Sequence, residues 1–296
     1  MELSQPRAFF GLVSSATPQG SNVSNSVSVG ASNAAVSLTS AATLVTFDAV
    51  VVGSSSDLVI DVSDLDSTGT TAWTAGTAQV ETATAAGTIT GAGNAEVIVT
   101  ASGMTGSPKT LDVAVASTDT ASEWAAKVRA ALAADADVSA LFSISGTGAD
   151  IVLTRKADFS ATVSGATVSV YPANDATLNV SLDNGTCTGI TTAATSADTT
   201  AGVATAGVYV PDLDGNDFEG RATGGATKIY GVYIANSSTS SDSLTITQGT
   251  VLADLAVPVG STYAMADPAG GLEFADITIE PTTAGPSLVT VVLATD

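Results

Sequence analysis

Histidine is absent from the 296-residue chain, and cysteine occurs once, at Cys187. The absence of histidine excludes a Ser-His-Asp triad, a Cys-His pair and a histidine-ligated zinc site. A single cysteine cannot form a disulfide within the chain. Because no histidine or nearby lysine is present to lower its pKa, we expect Cys187 to be a small buried hydrophobic residue and not a reactive thiol.

Basic residues are also scarce. The chain has 8 lysines and arginines but 29 aspartates and glutamates, and its formal net charge is −21. Residues 8–108 contain no lysine or arginine. Proteins that bind nucleic acid need clustered basic side chains to displace the counterions of the phosphates, and anionic membrane surfaces attract the same groups. The charge therefore predicts that neither nucleic acid nor a membrane is a partner.

The sequence also has few aromatic residues and no long apolar run. No stretch approaches the ~20 apolar residues of a membrane-spanning helix, and the first residues lack the basic and apolar regions of a signal peptide. We expect neither feature. Aromatic residues make up only 5% of the chain although the hydrophobic fraction is 45%, so the core must consist of Val, Ile, Leu and Ala. A chain of this length predicts about two domains.

What the chain does contain is short runs of Val, Ile and Leu between clusters of Gly, Ser, Thr, Asn and Asp, the pattern of strands and turns. Leu58, Ile60 and Val62, for example, alternate with residues that face the other way, as in a half-buried strand. The predicted strands and hairpins lie in residues 34–40, 43–53, 57–65, 96–103, 109–117, 141–156, 159–172, 176–186, 228–236, 243–249, 251–260, 275–281 and 287–295.

One stretch, "TASEWAAKVRAALAADADVSALF" at residues 120–142, has a helical pattern instead. Thr120 and Glu123 have the spacing of a capping box, and alanine fills most other positions. The apolar stripe at i, i+4 and i+8 consists of Trp124, Val128 and Leu132. Glu123 also lies four residues before Lys127, which is the favourable order for an exposed ion pair. The sequence predicts one main helix at about 120–134, followed by a second short turn.

These patterns divide the chain into four parts. We expect an extended N-terminal arm at 1–30, strands at 31–79 that pack with the C-terminal sandwich, an α+β module at 80–205, and a C-terminal β-sandwich at 206–296. Linker-like stretches at 66–79 and 191–207 join the module to the rest. The expected fold class is mainly β, a β-sandwich or jelly-roll-like domain with an inserted small α+β module that contains one main helix.

Two acidic motifs are candidate sites. The first consists of Asp57, Asp61, Asp64 and Asp66. We expect these to be solvated acids of strands and loops and not a catalytic carboxylate pair. The second offers oxygen ligands of the kind that calcium prefers; it consists of Asp212, Asp214, Asn216 and Asp217. Asp217 and Thr223 stand where an EF-hand loop needs Gly and Glu, so a plain Asp-Gly turn is favoured. We expect no cofactor, with calcium at this turn as the alternative.

The middle region resembles a module common in virion proteins of tailed bacteriophages. The matching features are the turn "GMTGSPKT", the capped helix "DTASEWAAKVRAALAADADV", the strand "IVLTRK" and the strand "NDATLNVSLDNGT". The C-terminal region, from "KIYGVYIANSS" to "SLVTVVLATD", resembles the β-sandwich ends of phage decoration and head-fibre proteins. The segment "ADFSATVSGATVSVYP" is additional to the usual spacing of the family.

The resemblance implies a non-enzymatic structural protein of the virion, assembled in the host cytoplasm. It implies a capsid decoration, cement or head-fibre subunit, a homotrimer bound to the major capsid protein or to other virion proteins. The alternative is a tail component, either a tail-tube subunit or a receptor-binding fibre. An enzyme such as a glycan hydrolase is disfavoured, because no carboxylate pair stands out and aromatic residues for sugar stacking are few.

The N-terminal arm is the predicted partner-binding segment. It is poor in apolar residues, and a terminus of that composition becomes ordered only when something holds it. The candidate anchors for a neighbouring copy or the major capsid protein are Arg7, Phe9, Phe10, Leu12 and Val13.

Overall fold

The structure is a computed structural model, and it describes eleven stretches of the chain. These are residues 26–28, 35–37, 43–53, 57–60, 73–163, 165–191, 194–209, 229–248, 252–266, 277–283 and 285–295. Within them the chain forms twenty strands and two helices. The described strand pairs are antiparallel.

The elements follow one another along the chain as two series. The first series is β1 Ser26–Ser28, β2 Ala35–Ser37, β3 Thr43–Val52, β4 Leu58–Ile60, β5 Val80–Thr84, β6 Gly93–Thr100, β7 Lys109–Val115, α1 Ala121–Ala134, α2 Ala136–Leu141, β8 Phe142–Ser145 and β9 Asp150–Arg155. The second is β10 Phe159–Val163, β11 Ala166–Val170, β12 Asn179–Asp183, β13 Thr195–Thr200, β14 Gly207–Tyr209, β15 Ile229–Asn236, β16 Leu244–Gln248, β17 Leu252–Val257, β18 Thr262–Ala266, β19 Ile277–Pro281 and β20 Ser287–Thr295.

The chain divides into two compact units. The first comprises Met1–Thr74, Ala161–Val168 and Ala206–Asp296, and the second comprises Ala75–Ser160 and Ser169–Thr205. The fold class predicted from the sequence is confirmed: the protein is mainly β, with an inserted α+β module. The expected module boundaries were about 80 and 205, and the second unit begins at Ala75 and ends at Thr205.

The first unit contains a β-sandwich. One sheet has five strands in the order β14-β3-β20-β15-β18, and the other has four in the order β17-β16-β19-β4. Alternate residues of both sheets enter one shared core, which includes Phe47, Ile234, Ile246, Ile279 and Val291. β3 lies between β14 and β20, and β4 pairs with β19. Strands from the beginning of the chain thus complete sheets built mostly from its end.

The second unit has its own core between a three-stranded sheet, β12-β6-β7, and a four-stranded sheet, β13-β5-β9-β8. Helix α1 packs against β7, β8 and β9. Its apolar stripe is fully buried, as predicted; the exposed fraction is 0% for Trp124, Val128 and Leu132. The indole Nε1 of Trp124 donates a hydrogen bond to the carbonyl of Gly87 at 3.0 Å, which fixes the helix on the sheet.

The helix boundaries agree with the prediction, but one predicted ion pair does not form. Thr120 is the N-cap of α1, and its capping box with Glu123 is present in both directions. Because the Glu123 carboxylate accepts hydrogen bonds from Thr120, the ammonium of Lys127 pairs with Asp119 instead. The expected Glu123–Lys127 pair was therefore wrong.

Five strands lie where the sequence predicted none: β1, β5, β13, β14 and β18. The clearest correction is β13, which occupies residues 195–200 of the stretch expected to be a linker. Its residues are Thr, Ser, Ala and Asp, without an apolar alternation. It is a strand because its backbone pairs with β5 at the edge of the four-stranded sheet.

Candidate functional site

The residues that the sequence singled out for partner and metal binding lie outside the described residues. The partner-binding candidates are Arg7, Phe9, Phe10, Leu12 and Val13, and the calcium candidates are Asp212, Asp214, Asn216 and Asp217. Among the residues that the structure describes, no group of three or more acidic or cysteine side chains is arranged to hold a metal ion.

Of the four aspartates considered for carboxylate chemistry, Asp57 is described, whereas Asp61, Asp64 and Asp66 lie outside the described residues. Asp57 precedes β4 and lies beside Glu280 of β19, because β4 and β19 are neighbours in the four-stranded sheet. Burial raises the pKa of Glu280, and the charge and hydrogen bond of Asp57 raise it further. The sequence did not predict this pair, because its members are separated by more than 200 residues.

Cys187 is buried within the second unit, as the sequence predicted. Burial raises the pKa of its thiol. A thiol in this environment stays protonated at neutral pH and packs as an apolar side chain.

A network of hydrogen-bonded polar side chains joins β5, β13 and the loop before β12 in the second unit. Gln79 is 3% exposed. Its Nε2 donates to Asp198 Oδ1 at 2.7 Å and to the Asp175 carbonyl at 2.9 Å. Its Oε1 accepts from the Asp175 backbone N–H at 2.7 Å. Gln79 thus ties the start of β5 to both the loop before β12 and the edge strand β13.

Glu81 lies two residues further along β5 and is also buried, with 1% of its surface exposed. Ser196 Oγ donates to Glu81 Oε1 and accepts the backbone N–H of Val180 at 3.1 Å. The second carboxyl oxygen, Oε2, is buried without a hydrogen-bond partner. Burial raises the pKa of Glu81; the hydrogen bond from Ser196 lowers it, and Asp198 raises it again.

A shallow pocket of about 320 Å³ lies beside this network. One wall is β12, and the other is formed by residues 190–191 and 194–196. Ser196 belongs both to the pocket wall and to the hydrogen bonds of Glu81. The pocket is lined by hydroxyl, amide and aliphatic groups, so it can accept neutral polar groups, and Asp183 is its one charged side chain.

Two antiparallel backbone bridges lie near residues 75 and 205 of the chain. Thr74 and Ala206 exchange two backbone hydrogen bonds, at 2.9 and 3.2 Å. Thr77 and Val203 form a second antiparallel bridge. Residues 74–77 and 203–206 therefore run side by side as an antiparallel pair.

Among the described residues, the structure has no helix that is both long enough and apolar enough to cross a membrane. Searches with protein-family models and against curated proteins found no match to the chain.

Proposed function

We propose that the chain is a non-enzymatic structural subunit of a tailed-bacteriophage virion, bound to the capsid as a decoration, cement or head-fibre protein. One observation carries the proposal: the segments that resemble virion modules together build one packed unit. The "GMTGSPKT" turn, the capped helix α1 and strands β9 and β12 all belong to the second unit and contribute to its core. The resemblance therefore covers a complete folded module and not scattered matches.

The paired entry and exit segments support the same proposal. An inserted unit joined at a hairpin-like base can be added to a sandwich without disturbing its sheets. Such a unit suits a virion surface protein, in which the sandwich attaches to the particle and the insert extends its surface. In this proposal neither unit performs chemistry, and no cofactor is needed; calcium at Asp212, Asp214, Asn216 and Asp217 is the alternative.

The charge of the first unit predicts how the proposed attachment to the capsid depends on salt. Among the described residues of the first unit there is no lysine or arginine, whereas aspartate and glutamate occur; these acids are Asp48, Asp57, Asp242, Asp254 and Glu280. An acidic surface of this kind associates with a basic one, and screening by salt weakens the association. We expect attachment to the capsid to weaken as ionic strength rises.

The N-terminal arm is the proposed anchor, with Phe9, Phe10, Leu12 and Val13 as apolar contacts and Arg7 as a charged one. The partner would be the major capsid protein or a neighbouring copy in a homotrimer. Removal of residues 1–20 should leave a folded sandwich, as checked by circular dichroism, that no longer attaches to capsids. Full occupancy of capsids by the truncated protein would exclude the arm as the anchor.

Electron microscopy of particles that carry this chain is the decisive experiment for its position. Density at icosahedral sites of the shell would support decoration or head-fibre function. Rings of density along the tail would instead identify the alternative, a tail-tube subunit, for which the acidic charge would suit the lumen. Density at the tail tip would identify a receptor-binding fibre. Absence of the chain from purified particles would overturn the virion proposal altogether.

A further inference from the structure

The two acidic side chains of the polar network face each other directly across two paired strands. In the register of β5 and β13, Glu81 lies opposite Asp198. Side chains at directly opposed positions of an antiparallel pair lie on the same face of the sheet, and like charges there destabilise the pairing. Glu81 is 1% exposed, whereas Asp198 is exposed to solvent, so water screens the pair only from the side of Asp198.

The carboxylate of Asp198 is already occupied by hydrogen-bond donors. Its Oδ1 accepts from Gln79 Nε2 at 2.7 Å, and its Oδ2 accepts from Asn174 Nδ2 at 3.2 Å. A proton on Glu81 therefore removes the repulsion of the pair while these hydrogen bonds of Asp198 stay in place.

No described residue supplies a compensating positive charge to Glu81. β13 contributes Ser196 and Asp198, and β12 contributes the Val180 N–H through Ser196. On the other side, β9 places Leu153 opposite Glu81. The loop before β12 contributes Asp175, which reaches the pair through Gln79. Arg155, at the end of β9, is ion-paired with Asp158 at 2.6 Å.

One oxygen of Glu81 accepts from Ser196, and the other, Oε2, is buried and receives no hydrogen bond from a described donor. The hydrogen bond between Asp198 and the Glu81 carboxyl group raises the pKa of Glu81 and so favours its protonated form. Burial of an ionised carboxylate with an unsatisfied oxygen costs much more free energy than burial of the neutral acid. We propose that Glu81 and Asp198 form a proton-held clasp, which closes the edge strand β13 onto β5 when Glu81 is protonated and loosens it when Glu81 ionises. This inference does not depend on the proposed function.

The direction of the pH response follows from the environment of Glu81. Its pKa is raised above the ordinary value of 4.5, chiefly by burial. The folded unit therefore retains a proton that the opened strand releases. The stabilisation that this proton gives to the closed β13 is fully present below pH 4.5 and is lost as the pH rises through the higher pKa of the closed state. Within that window the opening equilibrium should increase about tenfold per pH unit.

The second unit contains a matched control for this pair. On the three-stranded sheet, Glu96 of β6 lies opposite Asp183 of β12 in the same kind of cross-strand acid pair. Asp183 is exposed and Glu96 is only partly buried. Glu96→Gln is therefore the same chemical change in the same strand geometry, but without the burial that the clasp requires.

The test is hydrogen exchange of the full-length chain between pH 4 and pH 8, with rates corrected for the intrinsic effect of pH and read on peptides covering residues 195–200. In the unsubstituted protein we expect protection of β13 to fall as the pH rises. In Glu81→Gln, β13 should be protected from exchange at both pH 4 and pH 8, because the amide carries no charge. Glu96→Gln should behave like the unsubstituted protein.

Three outcomes would overturn the clasp. The first is protection of β13 that does not change with pH in the unsubstituted protein. The second is loss of the pH response in Glu96→Gln as well as in Glu81→Gln. The third is restoration of protection at pH 8 by added Ca²⁺ alone, which would make the pair a cation site. If Glu81→Gln does not fold, Asp198→Asn provides the test, since removal of the opposing charge should shift the opening of β13 to higher pH.

Discussion

At the scale of single residues, Asp242 does the most to organise a described loop of the sandwich. Its Oδ1 accepts from Thr282 Oγ1 at 2.7 Å and from the Ser243 N–H at 2.8 Å. Its Oδ2 accepts from both the hydroxyl, at 2.7 Å, and the backbone N–H of Thr283. Burial alone would raise the pKa of Asp242, but these donors hold it below the ordinary value of 3.8.

Substitution Asp242→Asn should therefore destabilise the sandwich by about 1–3 kcal/mol at neutral pH, since an amide cannot accept all four hydrogen bonds. In the unsubstituted protein this contribution is present above pH 3.8 and is lost as the pH falls through the lower pKa of the folded state. Denaturation in a Trp124→Phe background, in which Trp73 of the first unit is the one remaining tryptophan, measures both effects by fluorescence.

Asp254→Asn is the control for this change. Asp254 is exposed and accepts one long hydrogen bond, from Thr247 at 3.5 Å. Its backbone has a φ of 51°, a conformation in which asparagine is well tolerated. We expect no loss of stability. An equal loss in both variants would mean that the Asp242 hydrogen bonds are not the cause.

Trp124 is the residue on which the second unit depends most. It is fully buried and donates a hydrogen bond to Gly87. Trp124→Ala should cost about 3–5 kcal/mol through the cavity it leaves, and Trp124→Phe should cost about 1–3 kcal/mol through the unpaired carbonyl. Hydrogen exchange of α1 should report both losses, while the unfolding transition seen by Trp73 should not move. A shift of the Trp73 transition would show that the two cores are coupled.

At the scale of elements, the capping box explains why α1 begins where it does. Thr120→Ala removes the side-chain acceptor of the Glu123 N–H and should destabilise the second unit by about 1 kcal/mol. Fraying of the first turn in hydrogen exchange is the measurement. Ser122→Ala changes an exposed residue of the same turn and should be neutral or slightly stabilising, because alanine is the better helix former.

The elements also differ in how far local sequence determines them. Helix α1 has its cap, its apolar stripe and its alanines within fifteen residues, so local interactions predict it. Strands β5 and β13 have no such local signal, because threonine-rich strands depend on their neighbours for pairing. β5 lies between β13 and β9, and both partners are distant in the sequence. Strands of this kind are found only once the sheet order is known.

At the scale of the whole molecule, the two units have separate cores. Because Thr74 and Ala206 form a hydrogen-bonded antiparallel pair, they can be joined by a two-residue turn. Replacement of residues 75–205 by Asn-Gly, which favours such a turn, should leave a folded sandwich. The contact of Trp73 with Tyr209, whose ring centroids are 5.4 Å apart, should persist and is measurable by nuclear magnetic resonance.

The complementary product, residues 75–205, contains the whole second unit together with Ala161–Val168 of the first. It should unfold cooperatively with Trp124 as its reporter. A sandwich that lacks a cooperative transition after the replacement would contradict the independence of the two units. Independence would also be contradicted if residues 75–205 remained unfolded by themselves and folded only within the full-length chain.

The sequence by itself determined the composition of the core, the mainly β class, the position of α1 and most of the strands. Each of these rests on interactions between residues a few positions apart. Only the tertiary structure decided which strands are neighbours, because pairing such as that of β3 with β20 joins residues more than 200 positions apart. The opposition of Glu81 to Asp198, and of Asp57 to Glu280, is a consequence of that pairing. A carboxyl group acquires an unusual pKa from burial and from the charge placed beside it, and both are set by the register of distant strands.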